Sequence, residues 1–178
     1  MKKGGLQRSP LDLIEHDHAR VAQICDHLEQ IADSLPDDID KKRCQEAVTA
    51  LRFDLPLHHQ DEEKGLFPLL LAHSGESPGL DSILERLSHE HAADEGFAEE
   101  LSEELDKIAR TGTCSNPEVV GYMLRGFFEN YRRHMHWEQT ILMPLARQIL
   151  TADDLTTLTE LLATHRQSHM KKAPRVMA

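Results

Sequence analysis

Two stretches of the chain, "HHQDEEKGLFP" at residues 58–68 and "HMHWEQTILMP" at residues 134–144, repeat one pattern 76 residues apart. Each carries a histidine, a glutamate one helical turn later, and a hydrophobe-hydrophobe-proline ending. A second pair, "HDHA" at 16–19 and "HEHA" at 89–92, recurs at an offset of 73. Two repeats at nearly the same offset indicate a duplicated helix hairpin, with its halves related by a pseudo-twofold axis. Few folds accept such a chain. Any fold it adopts must place four short polar motifs at equivalent heights on four helices.

The rest of the chain agrees with helices. Only 4% of residues are aromatic, and Leu, Glu, Ala, Asp and His are plentiful, which disfavours a sheet. Ser9 and Pro10 make a helix start, and Ile14, Val21, Cys25 and Leu28 share one face of the first helix, which ends near "SLPDD". A second helix is expected from about Asp38 to Leu71, with Pro56 as a kink, and a third from about Leu80 to Arg110. Asn116 and Pro117 start a fourth, running to about Leu150, and Thr151 starts a shorter fifth. The basic tail behind it is expected to fray. The expected fold is all-α: an antiparallel up-down-up-down four-helix bundle over residues 10–150, with a short C-terminal helix and tail over 151–178 packed on an end or outer face.

Charge and composition exclude several function classes. A net charge of −11 opposes nucleic acids and anionic lipid as partners. No apolar run approaches the roughly 20 residues of a membrane span, and "MKKGGLQRSP" has no apolar segment behind its basic start. A cytoplasmic protein is expected. The three widely spaced cysteines (Cys25, Cys44, Cys114) form neither a disulfide framework nor a zinc knuckle.

Helical phase separates the histidines, because positions i and i+4 nearly eclipse while i and i+2 point apart. His18 falls with Ile14, Val21 and Cys25, and His91 with Leu84, Leu87, Ala98 and Leu101. His58 and Glu62 continue the stripe of Leu51 and Leu55; His134 and Glu138 follow Met123 and Phe127. His16, His89 and His136 fall on polar faces, and His59 and Glu63 are expected to look outward or sideways. Each bundle helix thus sends one imidazole inward, and two of them add a carboxylate.

Burying four imidazoles and two carboxylates without compensation costs several kcal/mol per charge. Mutual His-Glu salt bridging explains neither the duplication nor the lack of inward Lys or Arg. A pair of metal ions does. The donor set suits iron or manganese and, less selectively, zinc, with the glutamates bridging and two imidazoles capping each ion. The prolines are expected to bend or end the helices past the site.

In this combination, "EHDHARV", "HHQDEEKGLFP", "HEHAADE" and "HMHWEQTILMP" resemble the hemerythrin family, specifically the bacterial HHE cation-binding domains. The resemblance implies an oxo- or hydroxo-bridged di-iron centre, two irons per chain, with His18, His58, His91 and His134 as terminal ligands and Glu62 and Glu138 as bridges. Oxygen-carrying members have a fifth histidine where this chain has Glu95. That residue is either a seventh, anionic ligand or is turned away, leaving one iron with an open site. The implied partners are a small ligand such as O2 or NO and an electron donor. Two roles follow: a protein that binds or senses such a ligand or holds iron, or an oxidoreductase of O2, peroxide or NO, including iron-sulfur cluster repair. A third reading is a structural bundle with adventitious zinc. Tyr131, one turn before His134, is expected to pack, the alternative being a hydrogen bond to a ligand or a metal-bound oxygen; Trp137 is expected to lie off the ligand face, and His165 and His169 to form a solvated pair rather than a surface metal site.

Overall fold

A computed structural model describes residues 9–172. The expected fraying tail and the basic start lie outside the described residues. Helix α1 is Pro10–Ser34. Helix α2 covers residues 41–71, α3 is Leu80–Thr111, α4 covers 117–149, and α5 is Ala152–Lys172. Around the bundle α1 meets α2, α2 meets α3, α3 meets α4, and α4 returns to α1. This is the up-down-up-down ring expected from the sequence, with no strand among the described residues. No helix there is long and apolar enough to cross a membrane.

The helix starts are written locally. The Ser9 hydroxyl accepts from the Leu11 N–H, and the Asp12 carboxylate accepts from the Ser9 N–H, closing a reciprocal cap. Asn116 accepts from the Val119 N–H at the start of α4, and Thr151 and Asp154 cap each other's backbone at α5. Helix α3 begins after Gly79 and ends at Gly112, both at positive φ where glycine carries no Cβ penalty.

The prolines do not end their helices. Each follows a π turn: Ala50–Asp54 before Pro56, Glu62–Leu66 before Pro68, and Glu138–Leu142 before Pro144. The N–H groups of Leu55, Phe67 and Met143 reach back five residues, to the carbonyls of Ala50, Glu62 and Glu138. A proline has no N–H to continue the ladder, and its ring clashes with the carbonyl four residues earlier. Widening the turn by one residue relieves the clash, so α2 continues to Leu71 and α4 to Ile149. Two of the three π turns open on Glu62 and Glu138.

The core is split in two. One apolar cluster gathers Val21, Leu28, Leu55, Leu101, Leu124 and Phe127. The other gathers Ile14, Leu66, Leu84, Leu87, Leu142 and, from α5, Leu158 and Leu162. The inward histidines and glutamates fall in the sequence gaps between these two sets, one polar layer in an otherwise apolar bundle.

Helix α5 lies along α1 and α2. Gly65 admits it: a Cβ there would come within 3.1 Å of Leu158 and 3.7 Å of Leu162. The same contact buries His165 against Asp61, Nδ1 to Oδ1 2.8 Å. Arg166 reaches both Asp61 Oδ2 (3.0 Å) and Asp17. His165 is therefore not half of a solvated pair: it is buried, while the His169 ring faces Phe53. Asp61 is fully buried, and burial raises its pKa against the pull of His165 and Arg166.

Candidate metal centre

His18, His58, Glu62, His91, His134 and Glu138 are all buried, at most 4% exposed, and converge from four helices. Their donor atoms form two groups that share Glu138: His18, His58, Glu62 and Glu138 in one, His91, His134 and Glu138 in the other. Glu138 divides its oxygens between them. Oε2 lies 3.3 Å from His18 Nε2 and 3.9 Å from His58 Nε2, whereas Oε1 lies 3.5 Å from His91 Nε2 and 3.0 Å from His134 Nε2. Glu62 spans the groups too, with Oε1 3.4 Å from His18 Nε2 and Oε2 3.6 Å and 3.4 Å from His58 and His91 Nε2.

Most of these separations are too long for hydrogen bonds. They are the spacings of atoms surrounding a common centre. Both oxygens of Glu62 and Glu138, and both ring nitrogens of His18 and His58, have no hydrogen-bond partner although fully buried. Unsatisfied groups of this kind are rare and need a cause.

The second imidazole pair is more telling. Glu63 Oε1 lies 3.1 Å from His91 Nδ1, and Glu90 Oε2 lies 2.9 Å from His134 Nδ1. A carboxylate only accepts, so each Nδ1 carries its proton, and in the neutral ring each Nε2 presents a bare lone pair. Those two Nε2 atoms are 3.1 Å apart. Two lone pairs at that distance repel unless a cation or a proton lies between them.

Protons take that role when metal is absent. Burial pulls the His18 imidazole down, but Glu138 and Glu62 outweigh it and lift its pKa to about 10. His134 goes up to about 9 against the same burial, through Glu138 and Glu90. His58 is pushed down to about 4 by burial. Glu138, despite burial, is held well below the carboxylate range by His134, His18 and His91.

The donor set fits a metal pair: imidazole and carboxylate only, with no thiolate. Cys25 and Cys44 lie in the apolar core, where burial pushes the Cys25 thiol up to about 12. The Glu95 carboxylate stays outside both donor groups and is partly exposed. It accepts from His59 Nδ1 at 3.0 Å.

His59 itself corrects the helical-phase expectation, being only 1% exposed. Burial keeps it neutral, so with Nδ1 donating to Glu95 its Nε2 accepts the Tyr131 hydroxyl at 3.0 Å. Its ring stacks on His91 with centroids 4.0 Å apart. Tyr131 therefore does more than pack. Helix α2 has three neighbours and buries a wide arc, His59 and Asp61 included, where the sequence indicates one stripe. Glu63, Glu90 and His59 are absent from the sequence-based set of six. The signal for them lies in the pairs "HH", "EE" and "EH" that flank it. Trp137 is only partly buried, with the Arg86 guanidinium 5.9 Å from its ring centroid.

The hemerythrin HHE cation-binding domain matches residues 9–146. The chain belongs to this family. A similar relative is an uncharacterized protein of Haemophilus influenzae, 26% identical over 166 residues, covering 89% of this chain and 90% of that one. Family and geometry together make this a hemerythrin-like helical bundle whose buried His/Glu groups could hold metal.

Replacing His59 by alanine strands the buried Tyr131 hydroxyl and unseats His91. The expected cost is about 2 kcal/mol of stability, checked by urea unfolding of the metal-free protein.

Proposed function

We propose that this chain is a di-iron protein that binds or senses O2, NO or a related small ligand, or holds iron. The observation that carries the reading is the pair of His91 and His134 lone pairs aimed at one point beside four unpartnered carboxylate oxygens. His18 and His58 would hold one ion, His91 and His134 the other, and Glu138 and Glu62 would span both; manganese or zinc would satisfy the same donors. When bound, the metal pair supplies redox change and a place for a small ligand. The chain's own residues orient the imidazoles, exclude bulk water and keep Glu138 ionised.

Elemental analysis with an absorption spectrum tests this. Two irons per chain, with charge-transfer bands of a bridged pair, are expected; substoichiometric metal in freshly purified protein overturns the reading.

An oxidoreductase of O2, peroxide or NO is the second reading, in which an electron donor is a partner. It is favoured by the hydrogen-bonded chain from the partly exposed Glu95 through His59 to the buried Tyr131, whose ring lies 5.4 Å from that of His134. Steady turnover with a reductant decides for the enzyme, and a stoichiometric spectral change alone decides for binding.

Metal uptake should also release protons. His18 and His134, raised to about 10 and about 9, are protonated at pH 7 in the metal-free protein and must be neutral to ligate. Calorimetric titration in buffers of different ionisation enthalpy should show roughly two protons released per chain loaded. Release of none would show that the imidazoles were already neutral.

A further inference from the structure

The duplicated hairpins treat their imidazoles differently. The offsets that match His58 with His134 and His18 with His91 also match Glu63 with Gln139 and Asp17 with Glu90. In one half the carboxylates do their work: Glu63 holds His91 and Glu90 holds His134. By the pseudo-twofold, Gln139 would serve His18 and Asp17 would serve His58. Gln139 instead is exposed, and Asp17 is turned to Arg166 of α5. Nδ1 of His18 and Nδ1 of His58 are left without a partner. A carboxylate behind a ligating imidazole fixes the ring and its tautomer and raises its basicity. The His91–His134 half has this support and the His18–His58 half lacks it.

The unsupported half also has a way out. A crevice of about 10 Å³, lined by Asp17, Arg20, Val21, Asp54, Leu57 and His58, runs in to His58. It has room for about one water. An ion pair, Arg20 Nη2 to Asp54 Oδ2 at 3.2 Å, spans two of its lining residues. Arg20 is 52% exposed and Asp54 31%, so the pair is of the surface kind that opens at little cost.

We propose that the two metal positions are inequivalent: the ion held by His18 and His58 is the exchangeable one, loading and leaving through the crevice beneath Arg20–Asp54, while the ion between His91 and His134 is retained. This rests on the metal-binding reading above. It gives the protein one resident ion and one that can be delivered or replaced.

The test is release of Zn(II) from protein loaded with two equivalents, mixed with excess of a chromophoric pyridylazo chelator. Two phases of one ion each are expected. Arg20→Ala should accelerate the fast phase severalfold and leave the slow phase where it was. Glu63→Gln should accelerate the slow phase by roughly 10-fold or more and leave the fast one. A single phase from the wild-type chain overturns the inequivalence, and an Arg20→Ala variant that moves both phases or neither overturns the portal. Failure of the wild-type chain to take up two zinc ions is a different result, and it removes the metal-centre reading itself.

Discussion

Glu138→Gln should empty the centre, taking metal content from two ions per chain to none. Glu138 belongs to both donor groups, and its two oxygens face different imidazole pairs, whereas Glu62 turns both of its oxygens to the His18–His58 side and only one toward His91. An amide keeps the shape, but it gives up the charge and replaces one donor oxygen with an N–H2 that cannot ligate. The stabilisation that loading confers, about 4 kcal/mol at a thousandfold excess over Kd, should vanish with it, read as loss of the metal-induced rise in Tm. The contrast is His58→Ala, which touches one group only. That variant should keep one ion and lose the other. Two ions retained by Glu138→Gln would remove it as the bridge.

The second large effect is alkaline weakening of the metal-free protein that loading with metal abolishes. The folded pKa values of His18 and His134 are raised above the ordinary 6.5, to about 10 and about 9, by Glu138 and Glu62 and by Glu138 and Glu90, which overcome burial. A group raised on folding contributes stability that is fully present below its unfolded pKa and is lost as pH climbs through the folded one. The window is therefore pH 6.5 to 10, over which the two carboxylates lose their imidazolium partners. Each tenfold change in proton affinity is worth about 1.4 kcal/mol, so the loss amounts to several kcal/mol. For a chain of this size that lowers Tm by roughly 10 °C between pH 7 and 10. His58 acts at the other end. Its folded pKa is depressed to about 4, so it costs stability as pH falls from 6.5 toward 4. In the loaded protein the cation replaces the protons and the alkaline loss disappears. Thermal melts with and without chelator at pH 7 and pH 10 check this. Equal slopes in both forms would show that protons do not stand in for the metal.

The six converging side chains are legible in the sequence because a straight helix rotates 100° per residue and each of four helices offers one apolar stripe as reference. The same rule fails for His59 and Asp61. Both lie on α2, which is enclosed by α1, α3 and α5, so its buried arc is wider than any stripe. Helix α5 is legible as an element but not as a neighbour of the segment that carries His58 and Glu62. Only Gly65, a residue without a side chain in the middle of a helix, hints that something lies against it. The prolines read as kinks because proline usually breaks the ladder. The π turn that absorbs them involves backbone reach over five residues, which no side-chain periodicity reports. On sequence grounds Glu95 is either ligand or bystander, and its hydrogen bond to His59 decides for neither: it is the outer end of a buried polar chain.

The duplication matches Gly65 with Ile141, a side chain 46% exposed. One hairpin therefore carries a notch and its twin a peg. The two halves are not interchangeable, because the last helix finds a flat berth on only one of them. By lodging there it tells front from back, and so a molecule that looks the same after half a rotation acquires a single orientation.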